Sequence, residues 1–144
     1  MKEWWTAKVG EDEEFDHNSV CIANIDNDKE KSDDKVVIGS FQGKLRIYKP
    51  NQQGNHEYHI EDLIIEKDMK YPILQVGYGR FKKNSQGLCL AILSTRLISI
   101  HVIESTDKFS KITEVQVHKL ERNAYNFVSG QFGNEGTKND QICV

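Results

Sequence analysis

The sequence has no long apolar run. No segment reaches the roughly 18 consecutive apolar residues that a helix needs in order to cross a membrane. The first residues, MKEWWTAKVGEDEEFD, also lack the apolar core of a secretory signal peptide. We therefore expect a cytoplasmic protein without a transmembrane span.

An excess of positive charge is also missing. The 144 residues include 19 lysines and arginines against 22 aspartates and glutamates, which gives a formal net charge of −3. Without a basic excess, nothing on the chain offsets the repulsion between a protein and nucleic-acid phosphates. General nucleic-acid binding is therefore not expected.

Cysteine is scarce. The three cysteines, Cys21, Cys89 and Cys143, are odd in number and far apart, and each lies in a segment predicted to be a strand. This pattern does not favour a disulfide framework, a metal site or a nucleophile. We predict that Cys89 and Cys143, which fall in equivalent strands, are small buried hydrophobic residues.

Catalytic and nucleotide-binding motifs are missing as well. The sequence contains no nucleophile elbow, no glycine-rich phosphate loop, no H-E-x-x-H and no C-x-x-C. Gly77, Gly79 and Gly130 end predicted strands rather than open helices, and we interpret them as bends where neighbouring blades crowd together. We expect no enzyme activity, no cofactor and no small-molecule substrate.

What the sequence does contain is a repeated β-hairpin. In residues 34–50, DKVVIGSFQGKLRIYKP, a short β-branched strand leads into a glycine-bearing turn, and a return strand follows in which apolar and basic residues alternate. A shift of 53 residues places a second hairpin on the first, at residues 89–100. A further shift of 53 places residues 142–144 on the opening strand.

The repeat predicts an all-β fold: a partial β-propeller of two four-stranded blades plus the start of a third, with about 53 residues per blade. The units are an N-terminal segment (1–18), a first blade (19–70), a second blade (71–122) and a truncated third (123–144). A β-sandwich would not keep one spacing at several separate positions. The spacing aligns the first strands of the two blades, with Leu74, Val76 and Tyr78 on Cys21, Ala23 and Ile25.

The number of blades sets a further expectation. Closed propellers have about four to eight blades, and 144 residues make fewer than three. A blade buries its faces only against its neighbours, so an open stack leaves two apolar faces in water. We therefore expect the chain to be the N-terminal piece of a longer protein, or else to be held by a partner or by self-association.

One loop resembles a calcium site. Asp26, Asp28 and Glu30 place carboxylates at alternate positions, as calcium loops do, and integrin-type propellers carry such a loop at the corresponding place. The glycine of the calcium pattern is absent, and nearby lysines dilute the negative field. We predict a solvated loop, with a metal site as the weaker alternative.

The chain begins with two tryptophans and an acidic run. Trp4 and Trp5 are candidates for partner binding, because tryptophan is enriched at the energetic centres of protein interfaces. The alternative is a capping segment in which the tryptophans dock on the first sheet. We predict that the acidic run after them, residues 11–16, is a solvated loop.

Several stretches resemble a known family. They are WW followed by EEFD, VCIANIDN, KVVIGSFQGKLRIYKP, EDLIIEKDMKYPILQVGYGRF, and AYNFVSGQFG followed by DQICV, in this order along nearly the whole chain. Together they resemble the N-terminal region of the Bardet–Biedl syndrome 9 family, also called the parathyroid hormone-responsive B1 family. The stretches IGSFQGKLRIYKP and PILQVGYGRF are the most specific parts of the resemblance.

The resemblance implies an N-terminal β-propeller in a non-enzymatic subunit of the BBSome, a coat-like adaptor that carries membrane proteins into and out of cilia. The expected partners are other BBSome subunits, and membrane association would be indirect, through the complex. The expected location is the cytoplasm, the cilium, the ciliary membrane and the basal body region. The alternative is a calcium-binding, integrin-like propeller module for adhesion or ligand binding.

Overall fold

A computed structural model of the chain describes residues 5–51, 57–83, 85–106, 108–132 and 139–144. These residues contain no α-helix and one turn of 3-10 helix, Ile60–Asp62. Ten strands account for the rest of the regular structure. They are β1 (Val20–Ala23), β2 (Lys35–Gly39), β3 (Lys44–Tyr48), β4 (Leu63–Asp68), β5 (Gln75–Gly79), β6 (Cys89–Ser94), β7 (Leu97–Ser105), β8 (Ser110–Lys119), β9 (Val128–Gly130) and β10 (Gln141–Cys143).

The strands form two sheets of four and one of two. The first sheet has the order β1-β2-β3-β4, the second has the order β5-β6-β7-β8, and the third pairs β9 with β10. Every pairing within the sheets is antiparallel. The fold is therefore all-β and is a partial propeller, with two four-stranded blades and the first two strands of a third, as the repeat predicts.

The opening hairpin forms for the reasons that its sequence suggests. Val37 in β2 and Ile47 in β3 lie opposite each other, and both are fully buried, as is Leu45. The turn between the strands needs a residue with positive φ, and Gly43 supplies it at φ 82°. The second hairpin, β6–β7, occupies the same place in the second sheet.

A β-bulge marks the same position in both sheets. The pairing register shifts between Ile47 and Tyr48 in β3, and between Ile100 and His101 in β7, which are 53 residues apart. In each case the outer strand carries one extra residue, Ile64 in β4 and Val115 in β8. The predicted spacing is thus kept in the third and fourth strands.

The predicted spacing is wrong in the first strand of the second sheet. Cys21 pairs with Val37, so the spacing would pair Leu74 with Leu90, but Leu90 pairs with Tyr78 instead. The side chain of Tyr78 is consequently 43% exposed. The connection between β5 and β6 (residues 80–88) is shorter than the one between β1 and β2 (residues 24–34). Because the connection and the apolar pattern set the register, β5 pairs differently.

Two apolar cores separate the three sheets, and β6 contributes to both. Leu90 and Ile92 point into the core shared with the first sheet, whereas Cys89, Ala91 and Leu93 point into the core shared with the third. This alternation follows from the two-residue period of a strand. The first core also holds Ile25, Val37, Leu45, Ile47, Ile65, Ile73, Val76 and Ile103, and the second also holds Ile98, Ile100 and Phe127.

The prediction of two buried cysteines is correct for Cys89 and wrong for Cys143. Cys89 lies in the second core, but Cys143 is exposed. Cys143 pairs with Val128, which is also exposed, because within the described residues no sheet covers that face of β9 and β10. Burial at this position therefore depends on the next layer and not on the strand itself.

Candidate interaction surfaces

The seam between the first and second sheets is held by an amide side chain as well as by apolar packing. Asn27, at the start of the β1–β2 connection, accepts a hydrogen bond from the Leu88 backbone N–H at 2.6 Å through Oδ1. Its Nδ2 donates to the Leu88 carbonyl at 3.0 Å. Gly39 lies so close to Ile73 that a Cβ there would overlap the isoleucine side chain. The two sheets therefore meet in one fixed arrangement.

The seam between the second and third sheets repeats the device. Gln75 Nε2 donates to the Phe127 carbonyl at 2.8 Å, and its Oε1 accepts from the Phe127 N–H at 2.7 Å. A Cβ on Gly77 would lie 2.8 Å from Phe127 Cζ, and one on Gly79 would lie 2.5 Å from Phe81 Cζ. The predicted crowding is thus present at these two glycines.

Gly130 does not fit the predicted crowding. A Cβ built on Gly130 would meet its nearest atoms, in Phe132, at 3.7 Å, which is an ordinary van der Waals distance. Gly130 lies in the two-stranded third sheet, whose outer face carries no further layer within the described residues. Close approach therefore occurs where one sheet packs on the next, and Gly130 does not lie at such a place.

Trp5 docks on the first sheet. Its ring centroid lies 5.6 Å from that of Tyr48 and 6.4 Å from that of Tyr58, in tilted and edge-on geometries that aromatic pairs favour. Its indole N–H donates to Asp62 Oδ2 at 3.1 Å, and Asp62 is only 4% exposed. The structure thus gives Trp5 a role within the chain. Trp4 lies outside the described residues.

The acidic run is not wholly solvated as predicted, because Glu13 forms a fork with Arg46. Arg46 Nη1 and Nη2 donate to the two carboxylate oxygens of Glu13 at 2.9 and 2.7 Å, and Arg46 Nε donates to Glu66 at 2.6 Å. The hydrogen bonds from Arg46 lower the pKa of the Glu13 carboxyl. This cluster escaped sequence reasoning, since Glu13 and Arg46 are far apart in the chain.

The loop with alternating carboxylates binds a lysine of its own chain. Lys35 Nζ lies 2.6 Å from Asp26 Oδ1, and both side chains are almost completely buried. Asp28 accepts hydrogen bonds from the backbone N–H groups of Glu30 and Lys31, which lower its pKa. Asp26 and Asp28 thus already have partners. No group of three or more His, Cys, Asp or Glu side chains suited to a metal occurs in the described part of the chain.

The remaining titratable side chains in the cores are not arranged as a catalytic set. His101 is buried, with Nε2 2.9 Å from Ser99 Oγ, and burial lowers its pKa to about 4. Burial also raises the pKa of the Cys21 thiol to about 12 and shifts that of Cys89 in the same direction. Neither thiol is therefore a ready nucleophile.

Apolar side chains remain exposed at both ends of the stack of sheets. On the outer face of the first sheet, Val20 is 48% and Ile22 is 57% exposed. At the other end, beyond the second sheet, a cavity of about 340 Å³ opens beside β10. Its apolar lining consists of Phe81, Ile98, Ile100, Leu120, Ile142 and Val144. Such surfaces suit packing against further protein.

Comparison with known proteins decides the family. A family model described as "PTHB1 N-terminal" matches residues 1–144. The chain belongs to the PTHB1 family. This confirms the resemblance to the parathyroid hormone-responsive B1 family that the sequence stretches indicate.

Relatives named Protein PTHB1 from Homo sapiens, Mus musculus and Xenopus laevis are each 34% identical to the chain over 151 residues. These PTHB1 alignments cover 99% of the chain but only 17% of each relative. The chain thus spans about a sixth of the length of the curated relatives it matches. Among the residues that the structure describes, no helix is long and apolar enough to span a bilayer.

Proposed function

We propose that this chain is part of a non-enzymatic protein-interaction scaffold, the N-terminal propeller part of a BBSome subunit that acts in ciliary membrane-protein trafficking and cilium assembly. The observation that carries the proposal is the match of residues 1–144 to the PTHB1 N-terminal family. The stacked sheets support it, because they present apolar faces suited to protein contacts and no catalytic set of side chains among the described residues.

The proposal extends to partners and place. Other BBSome subunits are the partners, and membrane association is indirect, through the complex. The protein acts in the cytoplasm, at the cilium and ciliary membrane, and near the basal body. The division of the chain at residues 18/19, 70/71 and 122/123 is part of the same proposal, since each division falls between the sheets or before the first one.

No contact in the structure favours the calcium-binding alternative. A calcium ion at the loop would have to compete with the Lys35 ammonium for Asp26 and with two backbone N–H groups for Asp28. Calcium prefers six to eight oxygen ligands, and Asp26, Asp28 and Glu30 are not gathered into such a set. We therefore do not carry it forward as a second function.

Affinity purification from ciliated cells tests the proposed function. The full-length protein that contains this chain is tagged, and co-purified BBSome subunits are quantified. Leu90→Asp, in the core between the first two sheets, is expected to lose the subunits because it separates the sheets. Ile60→Asp, at a side chain that is 81% exposed, is the matched control and should keep them. Recovery of no BBSome subunit with the unchanged protein would refute the proposal.

A further inference from the structure

Residues 5–16, which we call the strap, cross the outer face of the first sheet and contact it at two places. At one end Trp5 packs on Tyr48 and donates to Asp62, and next to it Thr6 forms a parallel bridge with Glu57. At the other end Glu13 forks onto Arg46. The two contacts therefore lie eight residues apart on the strap.

The second contact is reinforced by backbone hydrogen bonds. The Phe41 N–H donates to the Glu14 carbonyl at 2.8 Å, and the Glu14 N–H donates to Gln42 Oε1 at 3.0 Å. Ser40 adds a further hydrogen bond to Glu13. This end of the strap is thus recognised by its carboxylate and its main chain together.

The middle of the strap is attached differently. Among the described residues, no hydrogen bond joins positions 7–12 to any sheet. The ion pair of this stretch, Lys8 with Glu11, lies within the strap, and both side chains are more than 80% exposed. Such exposed pairs contribute little to stability. The strap therefore resembles a bound peptide that is held by two anchors.

The surface beneath the strap has the composition of a binding site. Arg46 is buried and presents a planar fork that matches one carboxylate, and Tyr48 with Tyr58 presents aromatic faces beside the acceptor of Asp62. Arginine and tyrosine are enriched where binding energy concentrates in interfaces. The charge of Arg46 calls for an acidic ligand, and the aromatic side chains call for a ring with an N–H donor.

We propose that this surface is a docking site for an extended peptide segment of another protein, which carries a tryptophan and, eight residues later, a carboxylate. The strap occupies the site within the chain and competes with that segment. The apparent affinity for a peptide in trans is then reduced by the fraction of molecules in which the strap is closed. Weakening the two anchors of the strap must therefore open the site.

A peptide of residues 2–16 with a fluorescent label is the probe, and binding to the 144-residue chain is followed by fluorescence anisotropy. We expect it to bind the variant W5A/E13Q at least tenfold more tightly than it binds the unchanged chain, because the mutant strap no longer competes. The single variant E13Q should give an intermediate gain. Adding Arg46→Met to W5A/E13Q should abolish the gain, and a probe that itself carries both substitutions should bind neither chain.

Three outcomes would overturn the proposal. The first is equal affinity of the peptide for the unchanged chain and W5A/E13Q. The second is loss of the β-sheet circular dichroism of W5A/E13Q, which would make the strap a required part of the fold. The third is a dimer of the unchanged chain, seen by light scattering, that dissociates in E13Q and so assigns the site to a second copy. All three are independent of BBSome co-purification.

Discussion

His101 is a buried histidine that the fold holds neutral. Burial is the main cause of its low pKa of about 4, the positive charge of Lys67 adds to it, and Glu114 lies opposite on β8. An unfolded chain protonates the same histidine near pH 6.5. The contribution of His101 to stability is therefore complete above pH 6.5 and is lost as the pH falls toward 4, by up to about 3 kcal/mol.

We expect the free energy of unfolding to fall less steeply between pH 6.5 and 4 in His101→Gln than in the unchanged chain. Urea unfolding at several pH values measures this, and the difference between the two chains removes the common effect of the carboxylates. His118→Gln, at an exposed strand position, is the matched control and should follow the unchanged chain. Parallel pH profiles of all three chains would contradict the assignment.

At the scale of residues, the sequence predicts apolar burial better than polar burial. Val37, Leu45 and Ile47 are core residues as their alternation indicates. Lys35 and Arg46 are buried as well, and nothing in their own strands shows it. Each is buried because a distant segment brings a carboxylate to it, and such a pairing is a property of the fold and not of local pattern.

At the scale of elements, Gly39 fixes how closely the first two sheets approach. A Cβ at this position would overlap the Ile73 side chain, so Gly39→Ala must push the sheets apart or force Ile73 from its rotamer. We expect a loss of about 1–3 kcal/mol in the free energy of unfolding, measured by urea denaturation.

Two variants test the cause of that loss. Gly130→Ala places its Cβ at an ordinary distance from Phe132 and should change stability by less than about 0.5 kcal/mol. Combining Gly39→Ala with Ile73→Val removes a methyl group at the overlap and should recover part of the loss. If the double variant is less stable than Gly39→Ala alone, overlap with Ile73 is not the cause.

The strands themselves were largely predictable, and their register was only partly so. The repeat of 53 residues locates the bulges after Ile47 and Ile100, because these strands lie in the middle of their sheets and have a neighbour on each side. The first strands have one neighbour within their sheet, and a shorter connection suffices to slide Tyr78 opposite Leu90. The positions of the seam amides, Asn27 and Gln75, carry no signal in the sequence pattern.

At the scale of the whole molecule, the three sheets differ in how well they are supported. The third sheet has two short strands, and its described links to the second sheet include the Gln75–Phe127 pair, the Asp140–Arg80 pair and the Ser129 hydroxyl bonded to the Tyr78 carbonyl. A two-stranded sheet is at best marginally stable by itself. The third sheet should therefore open without the other two.

Hydrogen exchange with mass spectrometry measures this opening. We expect the amides of β9 and β10 to exchange much faster than those of β6 and β7, which lie inside the second sheet. Gln75→Ala should speed exchange in β9 and β10 further and leave the first sheet unchanged. Asn27→Ala is the matched control at the other seam and should leave β9 and β10 as they are. Equal protection of all three sheets would contradict the prediction.

The extra residue in each outer strand, Ile64 in β4 and Val115 in β8, also bears on how the protein behaves at high concentration. A straight, open strand offers a regular row of unpaired N–H and C=O groups, on which another molecule can add a strand and begin a fibril. A bulge twists the strand and breaks that row. The same distortion that bends each outer strand therefore makes edge-to-edge growth of ordered aggregates less favourable.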